Sequence, residues 1–153
     1  MTRILIAVDG SDLDHECVAT ARRLFGTEAE YLAVSVAHEP AQRTAMVPVP
    51  YGFVYPYASV EPMRVDDGSN PVDRAEDIAR RAAEEAGLDN AEVIGEVGDP
   101  AEVIVGAAAR HACDAIVVGS HDRGWLSRLV QPSVSSEVLS SSSIPVLVVK
   151  APT

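Results

Sequence analysis

Asp114-Ala115-Ile116-Val117-Val118-Gly119-Ser120-His121 is the stretch whose reading decides the fold class. Its apolar run does not alternate with polar residues, which is what a strand covered on both faces needs, and Gly-Ser-His then ends the run in a turn. Two other runs share this character: Ile4-Leu5-Ile6-Ala7-Val8 near the start and Val146-Leu147-Val148-Val149 near the end. Strands are therefore read at 4–8, 115–119 and 145–150, with two further ones at 30–38 and 91–97.

Helical patterns separate them. Across 11–25, Leu13, Cys17, Val18, Ala21 and Leu24 fall on one stripe, with Asp, His, Glu and Arg residues opposite. Asn70-Pro71 opens a second helix with a capping side chain and a proline where no N–H is needed, and Ile78, Ala82 and Ala86 carry it to Gly87. Asp99-Pro100-Ala101-Glu102 is a capping-box pattern opening a third helix that ends near His111. A fourth begins near Ser133, carries Val134, Val138 and Leu139, and ends in the serine run before Ile144-Pro145. Strands alternating with helices give right-handed crossovers, so the expected architecture is α/β: an open five-stranded parallel sheet with helices on both faces.

The 153 residues fit one domain of ordinary size, expected to span 1–153. Apolar residues make up 47% and aromatics only 5%, so the core is built from aliphatic side chains. With 23 acidic against 12 basic residues the net charge is -11, which opposes nonspecific binding to nucleic acid or an anionic membrane. Cys17 and Cys113 have neither metal nor disulfide spacing and read as buried structural thiols. His15, His38, His111 and His121 show no metal spacing either. No segment reads as a signal peptide or a membrane span, and the expected location is the cytoplasm.

Residues 39–70 break the rhythm. Pro40, Pro48, Pro50, Pro56 and Pro62 are interleaved with Tyr51, Phe53, Tyr55 and Tyr57. Proline at this density precludes a regular helix and removes ladder donors, so the segment reads as a crossover loop. An aromatic lid or a partner surface is the other reading.

Sites on open parallel sheets collect at the carboxyl ends of the strands. Those ends are Asp9-Gly10-Ser11, the segment after Val36, Gly98-Asp99-Pro100, and Gly119 onward. The segment from Gly119 leaves a buried strand and returns at Pro132-Ser133-Val134 to a helix start, whose unpaired N–H groups favour an anion. Asp9 is placed like the carboxylates that bind ribose hydroxyls in nucleotide folds. An Asp-Gly-Ser after a strand also suits a plain helix cap.

Taken in order, Ile6-Ala7-Val8-Asp9-Gly10-Ser11, Val97-Gly98-Asp99-Pro100-Ala101-Glu102, the 114–121 stretch, Ser133-Val134-Ser135-Ser136-Glu137-Val138-Leu139 and Ile144-Pro145-Val146-Leu147-Val148-Val149-Lys150 resemble the universal stress protein family. Only the loop from Glu39 to Ser69 falls outside the resemblance. It implies a Rossmann-like sheet of the adenine nucleotide alpha hydrolase type, a homodimer, and a regulatory protein that binds ATP or another adenine nucleotide without catalytic turnover, with magnesium only alongside the nucleotide. The implied binding residues are Asp9, Val36, Gly98, Gly119, His121, Ser133 and Val134.

ATP-binding members carry Gly, two residues, Gly, nine residues, and Gly followed by Ser or Thr. On this chain Gly119 and Ser133 match, but Asp122 and Pro132 stand at the second and third glycines. A carboxylate beside a polyphosphate is repulsive, and proline removes a donor. Arg123, Gly124 and Arg128 are the neighbours able to compensate. Two readings therefore stand: a nucleotide-binding regulatory domain with a degenerate phosphate loop, and a dimeric interaction module that has lost ATP and acts through a regulatory protein partner. A third, an ATP pyrophosphatase of related fold, needs a phosphate loop after the first strand, where this chain has Val8-Asp9-Gly10-Ser11-Asp12.

Overall fold

The computed structural model of the protein describes residues 1–37, 45–46, 56–57, 70–88, 90–120 and 134–150. Five strands, β1 (Arg3–Ala7), β2 (Glu30–Ala37), β5 (Glu92–Val97), β6 (Ala115–Ser120) and β7 (Val146–Lys150), form one sheet in the order β5-β2-β1-β6-β7. Every pairing in it is parallel, with Ile4 beside both Tyr31 and Ala115 and Val118 beside Val148. Four helices connect the strands: α1 (Leu13–Phe25), α2 (Pro71–Glu85), α3 (Pro100–Arg110) and α4 (Val134–Ser141). The five-stranded α/β architecture expected from the sequence is the one observed.

Alternation along the strands explains the two-sided core. Ile4, Ile6, Ala33 and Val117 point to the face covered by α1 and α2, while Leu5, Leu32, Val34, Ile116 and Val118 point to the face covered by α3 and α4. The strand residues in this set are almost fully buried, and full burial of each Val, Leu or Ile is worth about 1.5–3 kcal/mol. Two caps form as the sequence predicts: Asn70 Oδ1 accepts from Val72 N at 3.0 Å, and Asp99 Oδ1 accepts from Glu102 N at 3.0 Å.

Several details differ. Helix α1 starts at Leu13 rather than at 11, and Asp12 at its N-cap makes no side-chain cap bond. Leu24, in the last turn of α1, is 57% exposed, and its neighbour Phe25 packs against the core there instead. On α4, Val138 takes the inward position, and Leu139, about 100° further round, is exposed. Inside the proline-rich segment a short antiparallel ladder, β3 (Ala45–Met46) with β4 (Pro56–Tyr57), forms where irregular chain is expected. So short a ladder tolerates Pro56, whose missing N–H costs little at an edge.

The two sheet edges are unlike. On β5, Glu96 pairs with Arg110 and Glu92 lies 3.5 Å from His111 Nδ1. On β7, Val146, Leu147 and Val148 are half-buried and Lys150 is the one charge.

Helix α2 sits so close over β5 that Gly95 has room for no side chain. A Cβ there would fall on the backbone N of Glu76 and 2.5 Å from Val72 O. Backbone cannot rotate away as a side chain can. Gly95→Ala is expected to lower stability by about 2 kcal/mol or more, read as the urea midpoint at unchanged slope; a midpoint within error of the parent would contradict this packing.

Candidate functional site

Strand order reverses between β1 and β6, and a crevice opens at the carboxyl ends of the strands there. It holds a cavity of about 250 Å³. Val34, Val36 and Val118 form its apolar floor, Pro100 and Ile104 of α3 one wall, and Leu13, Val134 and Ser135 the helix starts around it. Asp9, Ser11 and Asp14 supply its acidic side.

Of the residues that the sequence brings forward, Asp9, Val36, Gly119 and Val134 all line this cavity. Gly98 is not among its walls. Its N–H donates to Ala37 O at 3.1 Å, and its φ of +151° turns β5 into α3, a conformation that glycine adopts readily. His121 and Ser133 lie outside the described residues, as do Asp122, Arg123, Gly124, Trp125, Arg128 and Pro132. Gly119 has a packing reason for its identity: a Cβ would lie 2.7 Å from Leu13 Cδ2 and 3.3 Å from Cys17 Sγ. The absent side chain lets α1 settle on the end of β6.

Asp9 does not cap α1. Its Oδ1 accepts from Ser11 N at 3.1 Å, a local turn that leaves the helix to start at Leu13. The residue that organises the loop is Asp14, which the sequence pattern assigned to the polar side of α1. Asp14 is 7% exposed, and it accepts from Asp9 N at 3.2 Å through Oδ1 and from Gly10 N at 2.7 Å through Oδ2. Helical spacing held the signal, since Asp14 precedes Val18 by four positions and Ala21 by seven, on the buried stripe. Three successive N–H groups, of Asp9, Gly10 and Ser11, are thus taken by two carboxylates. In that state none of these three N–H groups is free for a phosphate.

Burial pushes the Asp14 carboxyl up to about 6; the N–H groups of Asp9 and Gly10 pull it down, and the Asp9 carboxylate pushes it up again. Burial likewise pushes the Cys17 thiol up to about 12, with Asp14, Asp9 and Glu16 adding to it. Cys17 and Cys113 are both buried, as their surroundings in the sequence predict. Among the described residues no cluster of His, Cys, Asp and Glu is arranged to hold a metal.

Because the Asp14 carboxyl sits above its unfolded value, the folded state holds a proton that the unfolded chain releases. Its contribution to stability is complete at acidic pH and is lost as pH rises through about 6. Between about pH 4.5 and 7.5 the protein is expected to lose about 1–3 kcal/mol more stability than Asp14→Asn does. Urea unfolding at the two pH values measures it, and parallel pH dependences would contradict it.

Comparison with known proteins agrees with the architecture. The chain matches the Universal stress protein family over residues 1–150. It is 33% identical to the stress response protein NhaX of Bacillus subtilis, with 97% of each chain covered, and 29% identical to the universal stress protein YxiE of the same organism, covering 97% of this chain and 98% of that one. Among solved structures, a universal stress protein in complex with cAMP superposes with a TM-score of 0.60 at 20% identity, covering 99% of this chain and 98% of the other. With the family matched along nearly the whole chain and the parallel sheet in place, this protein belongs to the universal stress protein family.

Proposed function

We propose that the protein is a small regulatory stress-response domain that binds an adenine nucleotide in the cavity between β1 and β6, and that it acts through binding and not through turnover. The observation that carries this is the cavity at the strand-order reversal, with an apolar floor for a base and the Asp9 carboxylate on its rim for ribose hydroxyls. The complex of a related fold with cAMP supports adenine as the base.

Size refines the ligand. Pockets for small molecules run about 300–1,000 Å³, and this one, at about 250 Å³, has room for a nucleoside rather than a triphosphate. In the sequence that follows β6, Asp122 and Pro132 replace two glycines of the ATP-binding pattern. ATP is therefore the weaker ligand, and a nucleotide with fewer charges the stronger. Magnesium accompanies only a polyphosphate. No helix among the described residues is long and apolar enough to cross a membrane, and the proposed location is the cytoplasm.

Asp9→Ala tests the nucleoside reading. Charge-assisted hydrogen bonds are worth about 1.5–3 kcal/mol, so adenosine affinity is expected to fall about tenfold or more by calorimetry. Unchanged affinity, or no binding by the parent protein at millimolar adenosine, overturns it in favour of the interaction module.

The same reading includes a homodimer through β7. The β5 edge is guarded by charged pairs, whereas the apolar β7 edge offers unpaired backbone to a second copy. Light scattering at micromolar concentration is expected to give twice the chain mass; a monomer removes this part.

A further inference from the structure

The loop between β1 and α1 separates two hollows. The cavity of about 250 Å³ lies on one side, and a groove of about 580 Å³ between the start of α1 and α2 lies on the other. Asp9, Ser11 and Asp14 face both. We propose that Asp14 is the positioning residue of the binding site: its buried carboxyl anchors the loop that carries Asp9 and shares a proton with the Asp9 carboxylate, so that the charge facing a bound nucleoside is set by the pair. This rests on the nucleoside reading of the cavity.

Two observations carry it. The first is geometric: Asp14 takes the N–H groups of both Asp9 and Gly10, at 3.2 and 2.7 Å, so it fixes the backbone from which the Asp9 side chain departs. Gly10, at φ +82°, makes the sharp turn that brings those two donors to one carboxylate. The second is the environment. Asp14 is buried and Asp9 is exposed, and the two carboxylates hold adjacent N–H groups of one turn, Asp14 those of Asp9 and Gly10 and Asp9 that of Ser11. Two neighbouring carboxylates that differ in burial do not ionise independently; the buried one holds its proton longer and donates it to the other.

Among the described residues, the other charged groups near this loop belong to α1 and α2 and the turn before them. Asp12, His15 and Glu16 lie exposed on the start of α1, and Arg81 and Glu85 of α2 line the far side of the groove. Cys17, one turn along α1, stays a thiol. From β6 the cavity is lined by Val118 and Gly119, and from α4 by Val134 and Ser135, none of them charged.

In the protonated pair the site presents one negative charge, and in the ionised pair two. A neutral nucleoside feels the difference only through the strength of its hydroxyl bonds to Asp9, which ionisation favours, while a nucleotide phosphate is repelled by the second charge. The probes are adenosine, which is neutral, and cAMP, whose phosphodiester keeps one charge throughout the range. By calorimetry, cAMP is expected to bind the parent protein about threefold to tenfold tighter near pH 5 than near pH 8, with adenosine changing by less than about twofold. Asp14→Asn, which cannot titrate and keeps one oxygen to accept from the turn in place of two, is expected to abolish the pH dependence for cAMP. A cAMP affinity that is flat with pH in the parent, or equally steep in Asp14→Asn, overturns the proposal.

Carbon-13 NMR of the carboxyl groups supplies a readout that needs neither ligand nor variant. One carboxyl titrating near 6, with Asp9 following it, supports the pair even if neither probe binds, and in that case the nucleoside reading alone falls. Asp14 titrating in the ordinary carboxylate range, independently of Asp9, overturns the proposal whether or not the variant folds.

Discussion

Everything polar in this protein is arranged by one constraint: a parallel sheet buried on both faces has no interior place for a charge. Strands β1 and β6, at its centre, are sealed by α1 and α2 on one side and α3 and α4 on the other. An uncompensated polar group inside would cost several kcal/mol, about 2–7 for an amide or hydroxyl. The buried polar and charged residues among those described obey this. Asp14 begins α1, Ser135 begins α4, and Ser35 lies toward the carboxyl end of β2. Asp14 and Ser135 sit at helix starts beside the strand ends, at the end of the sheet that holds the cavity, whereas Ser35 lies within β2, paired with Gly95. The site is where it is because the fold excludes charge from the buried interior of the sheet.

Close packing sets the shape of that end. Helices α2 and α3 bury alanines against the sheet, among them Ala75, Ala79, Ala82, Ala101, Ala107 and Ala108, so their axes approach closely. At Gly95 the approach is so close that α2 backbone occupies the place of a side chain. Gly119 plays the corresponding part for α1, but with a different consequence. The atoms over it belong to Leu13 and Cys17, and Leu13 is also a wall of the cavity. Packing of α1 and the volume available to a ligand are therefore one variable at Gly119, whereas at Gly95 only stability is involved.

How much of this was legible in the sequence follows from which forces are local. Continuous Val/Ile/Leu runs announce doubly buried strands, and Asn70-Pro71 and Asp99-Pro100 announce helix starts, since each signal depends on neighbouring residues alone. Strand ends and the first turn of α1 shifted by one or two positions, because loop hydrogen bonds such as Asp9 Oδ1 to Ser11 N decide them. Asp9, Val36, Gly119 and Val134 were legible as members of one site because the crossover rule brings strand ends together. Gly98 also ends a strand but does not line that cavity, since β5 is the outermost strand, two away from the reversal point. Asp14 was not legible from residue type. A carboxylate on a helix reads as a solvated face, and only the tertiary placement of α1 over β1 turns that position inward.

The filled loop after β1 bears on how an acidic protein could hold an acidic ligand. A run of backbone N–H groups in a turn is an anion site, and here its occupants are internal: Asp14 for Asp9 and Gly10, Asp9 for Ser11. With a net charge of -11 the long-range field also disfavours anions. An approaching nucleotide thus gains nothing for its phosphates at the first strand, and meets there the carboxylate whose useful partner is a hydroxyl. In the nucleoside reading proposed above, a phosphate finds none of the N–H groups of Asp9, Gly10 and Ser11 free at this turn. Asp14 is what closes the turn: without its buried carboxylate the N–H groups of Asp9 and Gly10 would be open to an anion, and only that of Ser11 would stay with a carboxylate, that of Asp9.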